Sequence, residues 1–461
     1  MADSDQGTAI GDESAPSSTS SKGPSQSGGK TRTGMLRMMK DYFTVLFGHG
    51  LSALLGFLAS IVLARALDKD GFGIYSAFVA TLAVVAAVMD LGISQSIVRF
   101  ASSKSVQSNR SAIARLVSGA IRGKLALAIL VGIASLGILH VSQFGKDLGS
   151  EFIVFLVPIG ALSLSFFFFV QGVLQTRLAF PTISIMLATR SALFLGTLIA
   201  VVLATEINYS IACLAFVVTT ALGTVLFSTE TRNLASFARK KELSTRDVTM
   251  KLLGFGKWLA LSATTFSIFQ QLPIAYALTT YGASSAADLA VSITLLGILG
   301  IINVPLLTVL MPQLSAIDSP RALKEYLNTM HRLILPTSVV IVVLLYALSG
   351  DAIALVYGEM YANATPIFMV MLAPFLLTFI TMPLNASIIY VLSKPEVPGV
   401  VNTIQLALFG LVLLFLADSG DIMDMVIAYS VLRVGGTAIV TIVAYIGVRN
   451  WAGKHVDEAR R

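Results

Sequence analysis

The sequence predicts an all-α integral membrane protein with about twelve transmembrane helices, and three observations lead to this prediction. Of the 461 residues, 55% are hydrophobic and only 12% are charged, and the mean hydropathy is +0.82. Apolar stretches of roughly 20 residues, the length that crosses ~30 Å of hydrocarbon, recur along the whole chain. The basic residues gather in every second gap between these stretches. An ordinary soluble domain does not have this composition.

The predicted helices follow the apolar stretches in order, six before a polar segment and six after it. Their ranges are 42–65, 73–98, 119–141, 151–175, 181–204, 209–229, 254–280, 285–311, 331–350, 364–392, 398–417 and 423–447. The polar segment contains ARKKELSTRD, which cannot enter lipid. Both halves begin with a long helix, a short Gly-containing loop and a helix rich in small residues, which indicates a parallel internal repeat. The predicted segments are a disordered cytoplasmic tail (1–34), an N-lobe (35–229), a cytoplasmic linker (230–253), a C-lobe (254–450) and a cytoplasmic tail (451–461).

The distribution of Lys and Arg predicts that both termini are cytoplasmic. With that orientation, 27 of the 32 basic residues lie in cytoplasmic segments and three lie in outer loops, as the positive-inside rule requires. The net charge of +7 therefore reflects membrane topology, and we expect no nucleic-acid partner. We expect a multi-pass protein of the inner, cytoplasmic membrane.

Two arginines lie deeper within predicted membrane spans than the basic residues near the span ends, at positions where an ionisable side chain is costly unless it has a partner or a function. Arg190 lies in helix five, and Arg433 lies in helix twelve directly before two glycines. In the functional interpretation, both guanidinium groups lie in a wet cavity between the lobes and bind a phosphate or another anion. In the alternative, each is structural and pairs with a carboxylate or carbonyl, or extends to the membrane surface.

Charged residues at the ends of helices one and two are further candidates. Arg99 and Arg65 are candidate anion-binding residues, although Arg65 has the alternative of a surface pair with Asp68 or Asp70. Asp90 is a candidate coupling carboxylate within helix two. Nine residues separate Asp90 from Arg99, so their side chains are not neighbours on a continuous helix. In the alternative, the two residues flank a bend.

Six amide side chains within the spans are candidate contacts for sugar hydroxyls. The alternative for each is a hydrogen bond that joins two helices. These residues are Gln270, Gln271, Asn303, Asn385, Asn402 and Gln405.

Several kinds of chemistry lack a sequence motif. No phosphate-binding loop of the type G-x-x-x-x-G-K-[ST] occurs, so we expect no ATP binding. The single cysteine, Cys213, excludes a disulfide framework and a cysteine-based metal site. We therefore expect no cofactor, no metal and no catalytic residue.

The segment LARALDKDGFGIYSAFVATLAVVAAVMDLGISQSIVRF, from Leu63 to Phe100, resembles a known signature. It is similar to helices one and two of the polysaccharide transport, O-antigen-type oligosaccharide flippases of the multidrug/oligosaccharidyl-lipid/polysaccharide (MOP) exporter superfamily. Asp68 stands where the family usually has glycine. The resemblance implies two six-helix lobes around a V-shaped cavity that opens alternately to either side of the membrane.

The function implied by this resemblance is that of a flippase rather than an enzyme. Similar proteins move undecaprenyl-pyrophosphate-linked oligosaccharide, the repeat unit of a surface polysaccharide such as O-antigen or exopolysaccharide, across the cytoplasmic membrane. The implied partners are this carrier-linked substrate, membrane lipids and polysaccharide polymerase machinery. The implied driving force is the membrane potential, or coupling to H⁺ or Na⁺. The alternatives are a cation-coupled multidrug antiporter of the same superfamily and a membrane polymerase or ligase, although no long outer loop for catalytic residues is predicted.

Overall fold

The fold was analysed in a computed structural model of the full chain. The structure describes residues 27–101, 110–177, 179–240, 257–297, 314, 317, 319–392, 394–416 and 420–460. Within these ranges the regular elements are helices, as predicted, and no strand occurs. The chain divides into two units, Met1–Lys40 and Asp41–Arg461, and all contacts below lie within the second unit.

Fifteen α-helices are described. The first nine are α1 (Ser27–Ala66), α2 (Lys69–Asp90), α3 (Ile93–Ala101), α4 (Arg110–Val141), α5 (Gln143–Asp147), α6 (Glu151–Thr176), α7 (Phe180–Ala204), α8 (Tyr209–Phe227) and α9 (Thr229–Lys240). The other six are α10 (Lys257–Thr280), α11 (Ala283–Gly297), α12 (Pro320–Tyr357), α13 (Ala364–Tyr390), α14 (Glu396–Leu416) and α15 (Ile422–Arg460). A short 3₁₀ turn, Glu359–Tyr361, follows α12.

Ten of the described helices are long and apolar enough to cross a membrane. They correspond to the first six and the last four predicted spans: α1, α2, α4, α6, α7, α8, α12, α13, α14 and α15. The positions of predicted helices seven and eight are occupied by α10 and α11. α10 is less apolar because it carries several Ser, Thr and Gln residues, and the rest of predicted helix eight lies outside the described residues. The predicted count of about twelve is therefore supported.

Helix two is interrupted where the sequence predicted one continuous helix. α2 ends at Asp90, and α3 begins at Ile93. Leu91 and Gly92 between them have φ angles of +38° and +69°, in the left-handed region that stops an α-helix. The alternative that Asp90 and Arg99 flank a bend is confirmed.

Three boundaries differ from the prediction because polar sequence extends helices beyond their membrane spans. α1 begins at Ser27, inside the predicted tail, and α4 begins at Arg110 rather than near residue 119. The first part of the predicted linker forms α9, which packs against α4 and buries Leu234. Its apolar residues Leu234, Phe237 and Ala238 recur at helical spacing and give it one face for this contact. The rest of the linker, residues 241–256, lies outside the described residues.

The helices pack in the two predicted groups. In the N-lobe, α6 lies centrally and contacts α2, α3, α4, α7 and α8. In the C-lobe, α13 packs between α12 and α15, and α14 packs against α10 and α15. α2 and α10 make the main contact between the lobes. A site between the lobes is therefore lined by residues of these two helices.

Candidate functional site

Two cavities lie between the lobes, one after the other along α2. Residues 72–80 of α2 contribute to a cavity of about 280 Å³, and residues 83–90 contribute to a second cavity of about 500 Å³. Gln271 of α10 lines both cavities. Because a helix rises 1.5 Å per residue, the two cavities together follow most of the length of α2. They lie next to each other at the contact between the lobes.

The first cavity, called here the Arg190 cavity, is lined by one charged residue. Arg190 of α7 donates from Nε to Thr220 Oγ1 at 3.1 Å. Its guanidinium carbon lies 5.2 Å and 5.0 Å from the ring centres of Phe167 and Phe216. Among the described residues, no carboxylate lies within ion-pair distance of this group. The aromatic rings hold the guanidinium but do not neutralise it, so the cavity presents an uncompensated positive charge.

The end of the Arg190 cavity nearest residues 65–73 is closed by contacts between the lobes, which we call the clasp (Arg65, Lys69, Gly73, Asp288 and Tyr361). Lys69 Nζ contacts Asp288 Oδ2 at 2.8 Å. A Cβ atom added to Gly73 would overlap the backbone oxygen of Ala283, which shows how closely α2 approaches α11. This backbone approach requires glycine.

Two further groups complete the clasp. The hydroxyl of Tyr361 donates to the carbonyl oxygen of Ala64 at 3.1 Å. Burial raises the pKa of Tyr361 above its ordinary range, so the hydroxyl remains a donor at physiological pH. Arg65 donates from Nε to the carbonyl oxygen of Val356 at 2.9 Å and from its terminal nitrogen to that of Leu355.

Arg65 therefore binds the free carbonyls in the last turn of α12, where a cation also complements the helix dipole. The alternative of a surface pair between Arg65 and Asp68 or Asp70 does not occur among the described residues. Asp68 instead caps α2, because its carboxylate accepts from the Gly71 backbone N–H at 3.2 Å. Arg65 lines neither cavity.

The second cavity, called here the amide cavity, is lined by four glutamines: Gln95 of α3, Gln171 and Gln175 of α6, and Gln271 of α10. None of the four has a hydrogen-bond partner among the described residues. Phe168, with 48% of its surface exposed, lies on the same face of α6 as Gln171 and Gln175. Only Gln271 was identified from the sequence. The i,i+4 spacing of Gln171 and Gln175 within an apolar helix is the sequence signal by which these two residues could have been identified.

Asp90 lines the amide cavity and is paired with a lysine behind it. The ammonium of Lys124 contacts the Asp90 carboxylate, and Ser94 Oγ donates to Asp90 Oδ1 at 2.5 Å. The Lys124 side chain is 1% exposed, whereas that of Asp90 is 17% exposed. The count of 27 cytoplasmic basic residues includes Lys124, and its burial against Asp90 shows that this assignment is wrong. Lys124 lies near the middle of α4 and faces α2.

The second intramembrane arginine has different surroundings. Arg433 of α15 is 8% exposed and packs against α10. Its guanidinium carbon lies 4.4 Å from the ring centre of Phe266. It lines neither of the two cavities, and no ion-pair partner is present among the described residues. Its role in anion binding stays a prediction. The side chain of Arg99 lies outside the described residues.

Two of the candidate amides join helices. Asn402 Nδ2 donates to the Ser262 hydroxyl and carbonyl oxygens at 3.0 Å and 3.3 Å, and it connects α14 to α10. Gln405 Nε2 donates to the carbonyl oxygen of Leu432 at 2.7 Å, and it connects α14 to α15. For these two residues the alternative of interhelical bonding is confirmed.

The remaining amides differ in their surroundings. Asn385 Nδ2 donates to Thr381 Oγ1 at 3.1 Å, one turn earlier in α13. Gln270 lines neither cavity, although its neighbour Gln271 lines both. Asn303 lies outside the described residues. Of the predicted sugar contacts, the structure therefore places Gln271 at the cavities.

The family described as "Polysaccharide biosynthesis protein" matches residues 38–318, which is more than half of the chain. No curated protein matches the chain.

Among solved structures, an inward-facing multidrug resistance MATE family transporter of the MOP superfamily is similar, with a TM-score of 0.64 and 13% identity over 88% of this chain and 95% of that chain. An outward-facing structure of a MATE family transporter of the same superfamily has a TM-score of 0.62 and 12% identity over 90% and 95%. At these identities, the matches show the fold alone. The chain is a multi-pass membrane protein with the fold of the MOP-superfamily transporters, and it belongs to the polysaccharide biosynthesis protein family.

Proposed function

We propose that this protein is a flippase that moves undecaprenyl-pyrophosphate-linked oligosaccharide across the cytoplasmic membrane by alternating access. The family supports a role in polysaccharide synthesis, and the fold supports a transporter rather than an enzyme. The observation that carries the proposal is the charge of the Arg190 cavity. A cavity between transporter lobes whose one charged lining residue is an unpaired arginine favours an anionic ligand.

The surroundings of Arg190 suit a pyrophosphate group. Thr220 and the two phenylalanine rings fix the guanidinium without using its terminal nitrogens in an ion pair. A guanidinium that is held in place can donate two parallel hydrogen bonds to a phosphate. In a low-dielectric cavity such charge-assisted bonds are stronger than in water. The lipid tail can remain in the bilayer while the pyrophosphate lies beside Arg190.

The arrangement of the cavities suits alternating access. In the predicted topology, the clasp lies at the outer side of the membrane, and the amide cavity lies toward the cytoplasm. A substrate made in the cytoplasm then reaches Arg190 through the amide cavity. A potential of 100 mV contributes ~2.3 kcal/mol per charge, so outward movement of an anion away from a negative interior is favourable without ATP. Coupling to H⁺ or Na⁺ through Asp90 is an additional hypothesis.

A multidrug antiporter is the second candidate because the solved structures with this fold include multidrug resistance transporters. The aromatic lining of the Arg190 cavity, which includes Phe72, Tyr75 and Phe216, also suits flat organic molecules. A site for organic cations needs an unpaired carboxylate or aromatic faces free of a competing cation. Arg190 occupies the face of Phe216, which favours the anionic substrate.

The test is mass spectrometry of polyprenyl-linked lipids in a strain that lacks the gene, together with staining of surface polysaccharide. We expect complete repeat units to accumulate on the carrier lipid while polysaccharide disappears from the surface. Wild-type protein and Arg321→Ala, which changes an exposed arginine paired with Glu325, are expected to restore both. Arg190→Ala is expected to fail at equal membrane abundance, and Arg190→Lys to restore part of the flux.

Normal carrier lipids and normal surface polysaccharide in the deletion strain would overturn the flippase. If the same strain also became sensitive to organic cations, the antiporter would replace it. Full restoration by Arg190→Ala would show that Arg190 does not bind the anion.

A further inference from the structure

The amide cavity lies next to the anion site described above, and it is larger than the Arg190 cavity. Gln95, Gln171, Gln175 and Gln271 face it from three helices, and none uses its amide for a hydrogen bond within the described residues. An amide that faces a membrane-embedded cavity without a protein partner has to be satisfied by water or by a ligand. Four such groups around one cavity are more than helix association requires.

From this arrangement we propose that the amide cavity binds the sugars of the carrier-linked substrate and selects uncharged sugars over acidic ones. The inference rests on the proposed function, and it adds the location of the sugars and their charge class. The volume of about 500 Å³ lies within the range of roughly 300 to 1,000 Å³ that is common for small-molecule sites.

The chemistry of the lining matches sugar hydroxyls. Each glutamine offers an acceptor oxygen and an NH₂ group with two donors, and each sugar hydroxyl both donates and accepts. Two amides one helical turn apart, Gln171 and Gln175, can contact successive hydroxyls along a sugar chain. The exposed ring of Phe168 on the same helix face offers an apolar surface for the C–H face of a pyranose ring.

The position of the amide cavity connects it to Arg190. Gln271 lines both cavities, so one molecule can place its pyrophosphate beside Arg190 and extend its sugars along α2. Gln95, Gln171 and Gln175 belong to the N-lobe, whereas Gln271 belongs to the C-lobe. A sugar chain bound by both groups touches both lobes.

The charges around the amide cavity favour neutral sugars. Asp90 is the one charged residue that lines it, and no basic side chain does. Lys124 compensates Asp90 from behind and is itself almost completely buried. The negative end of this ion pair therefore faces the ligand, and it repels the carboxylate of a uronic or sialic acid. An uncharged sugar accepts or donates hydrogen bonds there without this penalty.

The experiment measures binding to purified full-length protein in nanodiscs, with three probes that share one lipid. They are farnesyl pyrophosphate alone, farnesyl pyrophosphate that bears N-acetylglucosamine, and farnesyl pyrophosphate that bears glucuronic acid. We expect the N-acetylglucosamine probe to bind roughly tenfold more tightly than the other two, since one or two added hydrogen bonds give about this factor. Equal affinity for all three probes would overturn the proposal, as would preference for the glucuronic acid probe.

Variants test which residues cause the tighter binding of the N-acetylglucosamine probe. The double variant Gln171→Leu/Gln175→Leu is expected to remove the tenfold advantage of N-acetylglucosamine and to leave farnesyl pyrophosphate binding unchanged. Gln143→Leu, which changes an exposed glutamine of α5, is the matched control and is expected to bind like wild type. An advantage that persists in the double variant would place the sugars elsewhere. The melting temperature of each variant, measured in parallel, verifies that the protein is folded.

The same measurements separate this inference from the proposed function. Arg190→Ala is expected to weaken all three probes, because they share the pyrophosphate. If farnesyl pyrophosphate binds through Arg190 but the sugar adds nothing, the sugar site is wrong while the flippase proposal stands. If no probe binds, or if Arg190→Ala changes none of the affinities, the anion site itself is wrong.

Discussion

The two ends of the pathway between the lobes differ in how the lobes meet. At the clasp, a close backbone approach, an ion pair and tyrosine and arginine hydrogen bonds connect them. At the amide cavity, the hydrogen bond that joins the lobes among the described residues runs from Thr264 Oγ1 to the Ala87 carbonyl oxygen, and it is 3.4 Å long. The comparison shows lobes that are held together by several contacts at the clasp and by one long hydrogen bond at the amide cavity. Charges at the clasp connect the lobes, whereas the charges of Asp90 and Lys124 stay within one lobe.

The largest expected effect comes from the ion pair at the amide end. Lys124→Met leaves the Asp90 carboxylate without its buried partner, which we expect to lower the free energy of unfolding by about 3 to 5 kcal/mol. The single cysteine, Cys213, is buried, so its reaction with a thiol-reactive dye during heating reports unfolding directly. The control is Lys124→Met/Asp90→Asn, which removes both charges and is expected to recover most of the loss. A stability of Lys124→Met equal to wild type would show that the pair is not structural.

A second change breaks the clasp by steric overlap. Gly73→Val places side-chain atoms where the Ala283 carbonyl oxygen lies, so the lobes have to separate at this end, at a cost of about 1 to 3 kcal/mol. The reporter is Ser76→Cys in the Arg190 cavity, in a protein from which Cys213 has been removed. We expect this cysteine to react roughly tenfold faster in the Gly73→Val variant with a membrane-impermeant thiol reagent added from outside. Gly137→Val is the matched control because open space surrounds Gly137. Unchanged reactivity in Gly73→Val would mean that the clasp is not the outer closure.

The ion pair of the clasp is expected to have a smaller effect. Asp288→Asn keeps the shape of the side chain but removes the charge that holds Lys69, and Asp288 is 6% exposed. A hydrogen bond between charged groups contributes about 1.5 to 3 kcal/mol, and partial exposure of Lys69 reduces this figure. We expect the reactivity of Ser76→Cys to rise about fivefold. Glu325→Gln removes the charge from an exposed pair and is expected to change nothing; an equal rise in that variant would refute a specific role for Asp288.

The smallest effect is expected for Arg65. Its guanidinium is exposed, and its carbonyl acceptors in α12 can bind water when the side chain is removed. Arg65→Gln is therefore expected to destabilise the closed state by less than about 1 kcal/mol. Transport measured as clearance of carrier-linked oligosaccharide is expected to stay near wild type. A complete loss of transport would return Arg65 to the substrate-binding residues.

The membrane spans could be predicted because the hydropathy of a segment depends only on the residues within that segment. Length and apolarity identify the helices, and the N-cap residues Ser150 and Asn208 begin α6 and α8 at the predicted positions. The bend after Asp90 was predictable as an alternative, because nine residues separate Asp90 from Arg99 and the two side chains are not neighbours on a continuous helix.

The hydrogen bonds and ion pairs that join different helices could not be predicted in the same way. Asn402, Gln405 and Gln271 have equivalent surroundings in the sequence, yet two of them join helices and one faces the cavities. Lys124 was counted among the cytoplasmic basic residues, whereas its burial depends on the rotation of α4 against α2. Arg190 and Arg433 are both lone cations in apolar helices, and only Arg190 borders a described cavity.

The sequence by itself determined the membrane environment, the number and order of the helices and their division into two lobes. These properties depend on how much apolar surface each segment offers to lipid, and every residue contributes to that sum independently of its neighbours in space. The tertiary structure decided which polar groups are used for packing and which remain free to bind a ligand. That distinction depends on helix rotation and on distances of a few ångström between segments far apart in the chain, which a one-dimensional pattern does not contain.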